Sequence, residues 1–89
     1  MWRVYLATKL RKDVRRRFPA NDRQRIIDAL RDLEQDGTYA KDVVHLLGDQ
    51  YRRREGAYHI LFRATEALRF IQVQRIERRT TTTYRRRHS

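Results

Sequence analysis

Residues 51–62 read Tyr-Arg-Arg-Arg-Glu-Gly-Ala-Tyr-His-Ile-Leu-Phe, and this stretch decides the fold. The pair Gly56-Ala57 predicts a two-residue turn of type II′, which places glycine at the first central position. After the turn the side chains alternate, so Tyr58 lies on one side of the strand and His59 on the other. The stretch therefore predicts a β-hairpin.

The two faces of this predicted hairpin differ in chemistry. One face is apolar and aromatic and can pack against helices. On the opposite face, the turn places Arg54 across from His59 and Arg52 across from Leu61. Two guanidiniums and an imidazole on one surface predict an anionic partner, and we expect phosphate, which arginine binds through paired hydrogen bonds. The apolar face consists of Tyr51, Tyr58, Ile60 and Phe62.

Length and composition limit the kind of protein this is. We expect the 89 residues to form a single domain, 1–89, with modest stability. The absence of cysteine excludes disulfides and thiolate metal sites and fits a reducing compartment. No apolar run is long enough for a membrane span and no leader is recognisable, so we expect a cytoplasmic protein. His45 and His88 have no ligand spacing to other residues, and we expect neither a metal nor another cofactor.

The charge is strongly positive and unevenly distributed. The formal net charge is +11. Residues 1–50 hold eleven Lys or Arg against eight Asp or Glu, whereas residues 51–89 hold eleven Arg against three Glu. The excess in the second half predicts a polyanionic partner, either nucleic acid or an acidic protein. The preference for arginine over lysine fits phosphate recognition, but a GC-rich genome would produce the same bias.

The patterning outside the hairpin predicts the other elements. Apolar residues recur at helical spacing between residues 9 and 36, and Pro19 divides this segment into two helices. Gly37 suits the position after the second helix. The predicted elements are a strand at 2–6, a helix at 9–17 capped by Thr8, a helix capped by Asn21 or Asp22 that runs to Asp36, and a strand at 68–76.

Residues 38–50 are predicted to be a connector with a turn at Gly48-Asp49. We expect its apolar side chains to pack beneath the sheet. The resulting order β-α-α-β-β-β predicts an α+β fold, with a two-helix hairpin packed on one face of a small antiparallel sheet. The other face of the sheet stays open, and it carries Arg52, Arg54 and His59. The connector side chains expected beneath the sheet are Val43, Val44, Leu46 and Leu47.

In this order of elements the chain resembles the RelE/ParE superfamily of bacterial toxins. The likeness runs through "ALRDLEQDG" at 29–37, "HLLGD" at 45–49 and "YRRREGAYHILF" at 51–62. The last of these is similar to the family pattern Y-R-x-R-x-G-x-Y-R-hydrophobic. The segment "RRTTTTY" at 78–84 resembles the end of HigB-type members. The resemblance implies a RelE-like fold.

The resemblance also implies a function, the toxin of a type II toxin–antitoxin system. RelE-like members are metal-independent endoribonucleases (mRNA interferases) that cut mRNA in the ribosomal A site and inhibit translation. ParE-like members inhibit DNA gyrase instead. We expect the first activity, with two alternatives: a gyrase inhibitor, or a non-catalytic RNA-binding relic of the family. The expected partner is an acidic antitoxin, which would place a helix in a groove beside the two helices and an extended arm near the arginines.

Family positions suggest which residues bind phosphate. Arg52 and Arg54 match basic positions that face RNA phosphate, and Arg75 is a further candidate for the same role. Arg78 and Arg79 match a late basic pair that would stabilise charge on the scissile phosphate, and the spacing leaves open which of them acts.

The sequence offers fewer candidates for proton transfer than for phosphate binding. His59 stands where the family usually has arginine, which keeps the relic alternative open, but histidine is the better acid or base near neutral pH. Tyr84 matches the terminal tyrosine of the family, which would stack on a base or donate a proton. Arg53 should point toward the helices, and Glu55 is interpreted as a surface charge. The expected catalytic residues are His59, Arg79, Tyr84 and Arg54.

Overall fold

The structure, a computed structural model, describes residues 1–79. The predictions for Tyr84 and His88 lie outside the described residues. Two α-helices and five strands form the described part, with two short 3₁₀ turns at Gly37–Tyr39 and Glu66–Leu68. In chain order the elements are β1 (Arg3–Leu6), α1 (Thr8–Arg17), α2 (Ala20–Asp36), β2 (Val43–Leu47), β3 (Gln50–Glu55), β4 (Tyr58–Thr65) and β5 (Phe70–Arg78).

The five strands of residues 1–79 form one sheet in the order β1-β5-β4-β3-β2. The α+β class and the two helices packed on one face are as predicted. The predicted antiparallel sheet is mixed in detail, because β1 runs parallel to β5 while the other three pairings are antiparallel. The helical hairpin carries the chain from β1 at one edge to β2 at the other. This long crossover is what permits a parallel pair at the end of the meander.

The predicted connector at 38–50 contains the edge strand β2, and the expectation that its four apolar side chains pack beneath the sheet is wrong for three of them. Only Val43 packs partly against the core, whereas the other apolar side chains of β2 are exposed. Gly48-Asp49 forms the two-residue link from β2 to β3, as predicted for a turn. An apolar run followed by Gly-Asp and a further strand is typical of a β-hairpin, so this pattern could have predicted β2 from the sequence. The exposed members are Val44, Leu46 and Leu47.

The hairpin at 51–62 has the predicted register. Tyr51 pairs with Phe62, and the pairs predicted for Arg52 and Arg54 are also confirmed. Gly56 adopts φ +55°, and Ala57 has no positive φ, which together fit a type II′ turn. Because the side chains alternate, the apolar face of β4 lies inside: Tyr58, Ile60 and Phe62 are all buried.

The helices cover that apolar face, but their predicted caps are wrong. The helices begin at Thr8 and Ala20, and neither start has a side-chain capping bond. The carboxylate of Asp22 instead accepts a hydrogen bond of 2.8 Å from the Tyr58 hydroxyl, which joins α2 to β4. Tertiary contact therefore replaces the local cap. The centre of the core is Ile26, Ala29, Leu33, Ile60, Phe62 and Ile71.

Gly37 ends α2 in a conformation that fits glycine. Its φ is +58°, and a Cβ atom at this position would overlap the indole of Trp2. The Trp2 amide also donates a 2.7 Å hydrogen bond to the carbonyl of Glu34. The predicted glycine at the end of α2 therefore makes room for the buried tryptophan before β1.

Arg53 points toward the helices as predicted and is only 1% exposed. Its Nη2 atom lies 3.0 Å from a carboxylate oxygen of Asp32 in α2 and 2.9 Å from one of Glu55. Its Nε donates to the carbonyl of Arg54 at 3.1 Å. The interpretation of Glu55 as a surface charge is therefore wrong, because a buried guanidinium requires such carboxylate partners.

Candidate functional site

The sheet face turned away from α1 and α2, which we call the open face, carries the candidate site. The strand pairs Arg54–His59 and Arg52–Leu61 lie on it, next to the type II′ turn. Arg54 is exposed, while Arg52 and His59 are half-buried. Within residues 1–79, the Nε atom of Arg52 is buried without a hydrogen-bond partner. The hairpin arginines predicted to bind phosphate therefore lie together on one accessible surface.

His59 is a neutral imidazole near pH 7 in this setting. Burial lowers the pKa of His59 below its ordinary value of 6.5. The guanidiniums of Arg52, Arg79 and Arg54 lower this pKa further, because a second positive charge is unfavourable beside them. Glu77 partly opposes the shift. A neutral ring among three guanidiniums can accept a proton while the guanidiniums hold an anion.

The structure separates the late basic pair. The Arg79 amide donates a 2.6 Å hydrogen bond to the carbonyl of Ala57, and the Arg79 charge acts on His59. Arg78 pairs with Tyr58, whose side chain packs toward the helices. Burial and Asp22 raise the pKa of Tyr58, and Arg78 partly offsets them. Arg79 thus joins the open-face cluster, whereas Arg78 belongs to the helix side of the sheet.

Glu77 is a member of this surface that sequence reasoning missed. It pairs directly with His59 across β4 and β5, and its carboxylate lies 3.6 Å from the guanidinium of Arg75. Arg75 pairs with Leu61 and so lies on the open face as well. A β-bulge in β5 sets this register, because Gln74 has no partner in β4. The sequence pattern does not reveal such an insertion, and a shift of one residue would turn Glu77 to the other face.

Other features of residues 1–79 limit the chemistry of the site. No group of three or more His, Asp or Glu side chains in this part of the chain is placed to hold a metal ion. Neither α1 nor α2 is long and apolar enough to cross a membrane. The His45 ring packs against Tyr51 at a tilt of 34°, with ring centroids 4.8 Å apart, and its Nε2 lies 2.6 Å from the carbonyl oxygen of Gly48. Of the two histidines in residues 1–79, His59 is the one on the open face.

No family model matches the sequence, and no curated protein is significantly similar to it.

Solved structures show the fold relationship that the sequence comparisons do not detect. The RelE–RelB complex from Pyrococcus horikoshii matches with a TM-score of 0.78 and 23% identity, covering 88% of this chain and 94% of that chain. The RelBE2 toxin–antitoxin complex from Mycobacterium tuberculosis matches with a TM-score of 0.70 and 20% identity, covering 88% of this chain and 98% of that chain. The isolated E. coli RelE toxin matches with a TM-score of 0.72 and 9% identity, covering 100% of both chains. The chain therefore has the fold of RelE toxins.

Proposed function

We propose that this protein is the toxin of a type II toxin–antitoxin system and acts as a metal-independent endoribonuclease on ribosome-bound mRNA. The observation that carries the proposal is the convergence of three guanidiniums, those of Arg52, Arg54 and Arg79, on His59. Together they supply a phosphate clamp and a proton acceptor on one open surface. The RelE-like fold supports the same assignment.

The reaction we infer is attack of a ribose 2′-oxygen on the adjacent phosphorus. His59 takes the proton of the 2′-hydroxyl, the new P–O bond forms, and the bond to the 5′-oxygen breaks. Arg52, Arg54 and Arg79 stabilise the negative charge that builds on the phosphate oxygens. The leaving 5′-oxygen receives a proton from Tyr84, the remaining candidate acid, or from the protonated His59.

The proposed partner is an acidic antitoxin. The similar Mycobacterium tuberculosis structure is a toxin–antitoxin complex, and the Pyrococcus horikoshii structure is a RelE–RelB complex. On this chain, a cavity of about 420 Å³ lies between β1 and the two helices, and its apolar lining includes Val14, Ile26 and Ile27. The guanidiniums of Arg11 and Arg15 also line it. An apolar floor with basic walls suits an amphipathic helix that carries acidic residues.

Controlled expression in bacteria tests the proposed activity. We expect growth arrest, loss of protein synthesis, and mRNA ends that map within ribosome-bound codons. Coexpression of the antitoxin should restore growth. Intact messages with stalled replication would replace the nuclease by gyrase inhibition, and unimpaired growth would indicate a non-catalytic relic.

A further inference from the structure

A second feature of the open face lies beside the candidate nuclease site. A cavity of about 230 Å³ lies at β3 and β4, with residues of β2 and β5 at its edges, and Leu61 contributes to its lining. Leu61 follows His59 by two residues in β4, which corresponds to about 7 Å along a strand. The cavity is smaller than the roughly 300–1,000 Å³ typical of drug-sized ligand sites. It therefore has room for a small planar group close to the phosphate clamp.

Two β-bulges form opposite walls of this cavity. In β2 the register shifts between His45 and Leu47, which leaves Leu46 as the extra residue. In β5 the shift leaves Gln74 as the extra residue. Both extra residues line the cavity. Bulges redirect side chains and occur often beside functional sites. The two irregularities of this sheet thus converge on one small space.

The polar groups of the cavity are available to a ligand. Its lining residues include Gln50, Gln74 and Arg75. Their side chains carry two amides and a guanidinium. Gln50 and Gln74 are exposed, and within residues 1–79 neither amide takes part in a side-chain hydrogen bond. Arg75 lies 3.6 Å from Glu77 and has a side chain that is 68% exposed. Each group can therefore turn toward a bound molecule at little cost.

Apolar surface from Leu46 and Leu61 next to two amides and a guanidinium matches the chemistry of a nucleobase. Glutamine pairs bidentately with N6 and N7 of adenine, and arginine with O6 and N7 of guanine. Both pairings use the N7 acceptor that pyrimidines lack. Bases of single-stranded RNA are free to unstack and present these edges to a protein.

We propose that the cavity lined by Leu46, Gln50, Leu61, Gln74 and Arg75 binds one purine base of the RNA strand whose phosphate contacts Arg52 and Arg54. This inference rests on the proposed function and extends it, because it assigns a base preference to the same open face. Gln50 and Gln74 act as specificity determinants.

Binding of short oligouridylates that carry a single central A, G or C tests the inference directly. Fluorescence anisotropy at low salt would compare them with the all-uridine strand. We expect a purine to tighten binding by roughly 5- to 150-fold, the range that a good bidentate base contact supplies. The double variant Gln50→Ala, Gln74→Ala should lose this preference and keep the affinity for oligouridylate. Gln72→Ala is the matched control, because Gln72 is an exposed glutamine of β5 outside the cavity.

Equal affinity for purine and pyrimidine strands, or a purine preference that survives the double variant, would overturn the inference. Mapping of cuts in cells separates this result from failure of the proposed function. Cleavage without regard to purines would contradict the purine-binding site and support the proposed nuclease activity. A purine preference in vitro with intact messages in cells would contradict the proposed nuclease activity and support the purine-binding site.

Discussion

At the scale of single residues, a substitution of His59 distinguishes proton transfer from electrostatic binding of phosphate. Replacing His59 with Gln removes the proposed proton acceptor and leaves the guanidiniums of Arg52, Arg54 and Arg79 in place. We expect RNA binding to stay nearly unchanged and cleavage to slow by roughly 10²–10⁴-fold, the usual effect of losing a general acid or base. Single-turnover cleavage and equilibrium binding, measured on the same ribosome-bound message, check both parts.

The pH dependence of cleavage follows from the surroundings of His59. Because its pKa is lowered from the ordinary value of 6.5, the ring stays neutral at pH 7 and gains a proton only at lower pH. Cleavage should therefore be constant near neutrality and fall only on the acid side, at a lower pH than an unperturbed histidine would give. A rate that stays flat from about pH 5 to pH 8, together with full activity of His59→Gln, would leave the arginines as a pure positioning clamp.

Arg54 and Arg63 are both exposed arginines of the β3–β4 hairpin and differ in their partners. Arg63 lies 2.9 Å from the carboxylate of Asp49, whereas no ion pair within residues 1–79 involves Arg54. Arg54→Ala should weaken RNA binding and reduce the slope of log affinity against log salt by about 0.7, the value for one lost phosphate contact on a single strand. Arg63→Ala should change the slope little. Equal changes in both variants would indicate diffuse attraction rather than a defined clamp.

At the scale of secondary-structure elements, buried Arg53 ties β3 to α2 through Asp32. Asp32→Ala leaves the guanidinium with Glu55 as its remaining carboxylate. Because the Asp32 side chain is 43% exposed, we expect a loss of only about 1–2 kcal/mol in the free energy of unfolding, measured by urea denaturation. Asp28→Ala is the control, since its ion pair with Arg31 is 3.9 Å long and exposed. If both substitutions had the same small effect, Arg53 would not connect these elements energetically.

The groove between β1 and the helices provides a second test at this scale. Ile27 lies on its wall and is 39% exposed, so the side chain is accessible before any partner binds. Ile27→Asp should weaken antitoxin binding by about tenfold or more, because a buried isoleucine contributes roughly 1.5–3 kcal/mol. Leu68→Asp changes an exposed leucine that does not line the groove and should bind normally. Calorimetric titration with the purified antitoxin would measure both, and normal binding of Ile27→Asp would place the antitoxin elsewhere.

At the scale of the whole molecule, the net charge of +11 predicts how the association rate of the partner depends on salt. An acidic antitoxin should associate by electrostatic steering, so its association rate should fall steeply as salt is raised. The dissociation rate should change much less, because contacts in the formed complex are screened less than the approach. Stopped-flow measurements across salt concentrations test this expectation. An association rate that is the same at low and high salt would contradict it.

The sequence alone determined the central hairpin and the class of the fold. Gly56 specifies the turn because a positive φ is accessible to glycine, and alternation across the turn then assigns every side chain of β4 to a face. The pairs of Arg52 and Arg54 follow from these two local rules alone. The two-helix layer follows similarly from apolar spacing interrupted by Pro19.

The tertiary structure decided what depends on contacts between distant segments. The bulge at Gln74 places Glu77 opposite His59, and the cross-strand pairs then separate Arg79 from Arg78. The partner of buried Arg53 lies 21 residues away in α2. The parallel pairing of β1 with β5 joins the two ends of the described chain. None of these features has a local pattern, because each lowers the free energy only after the helices and strands have packed together.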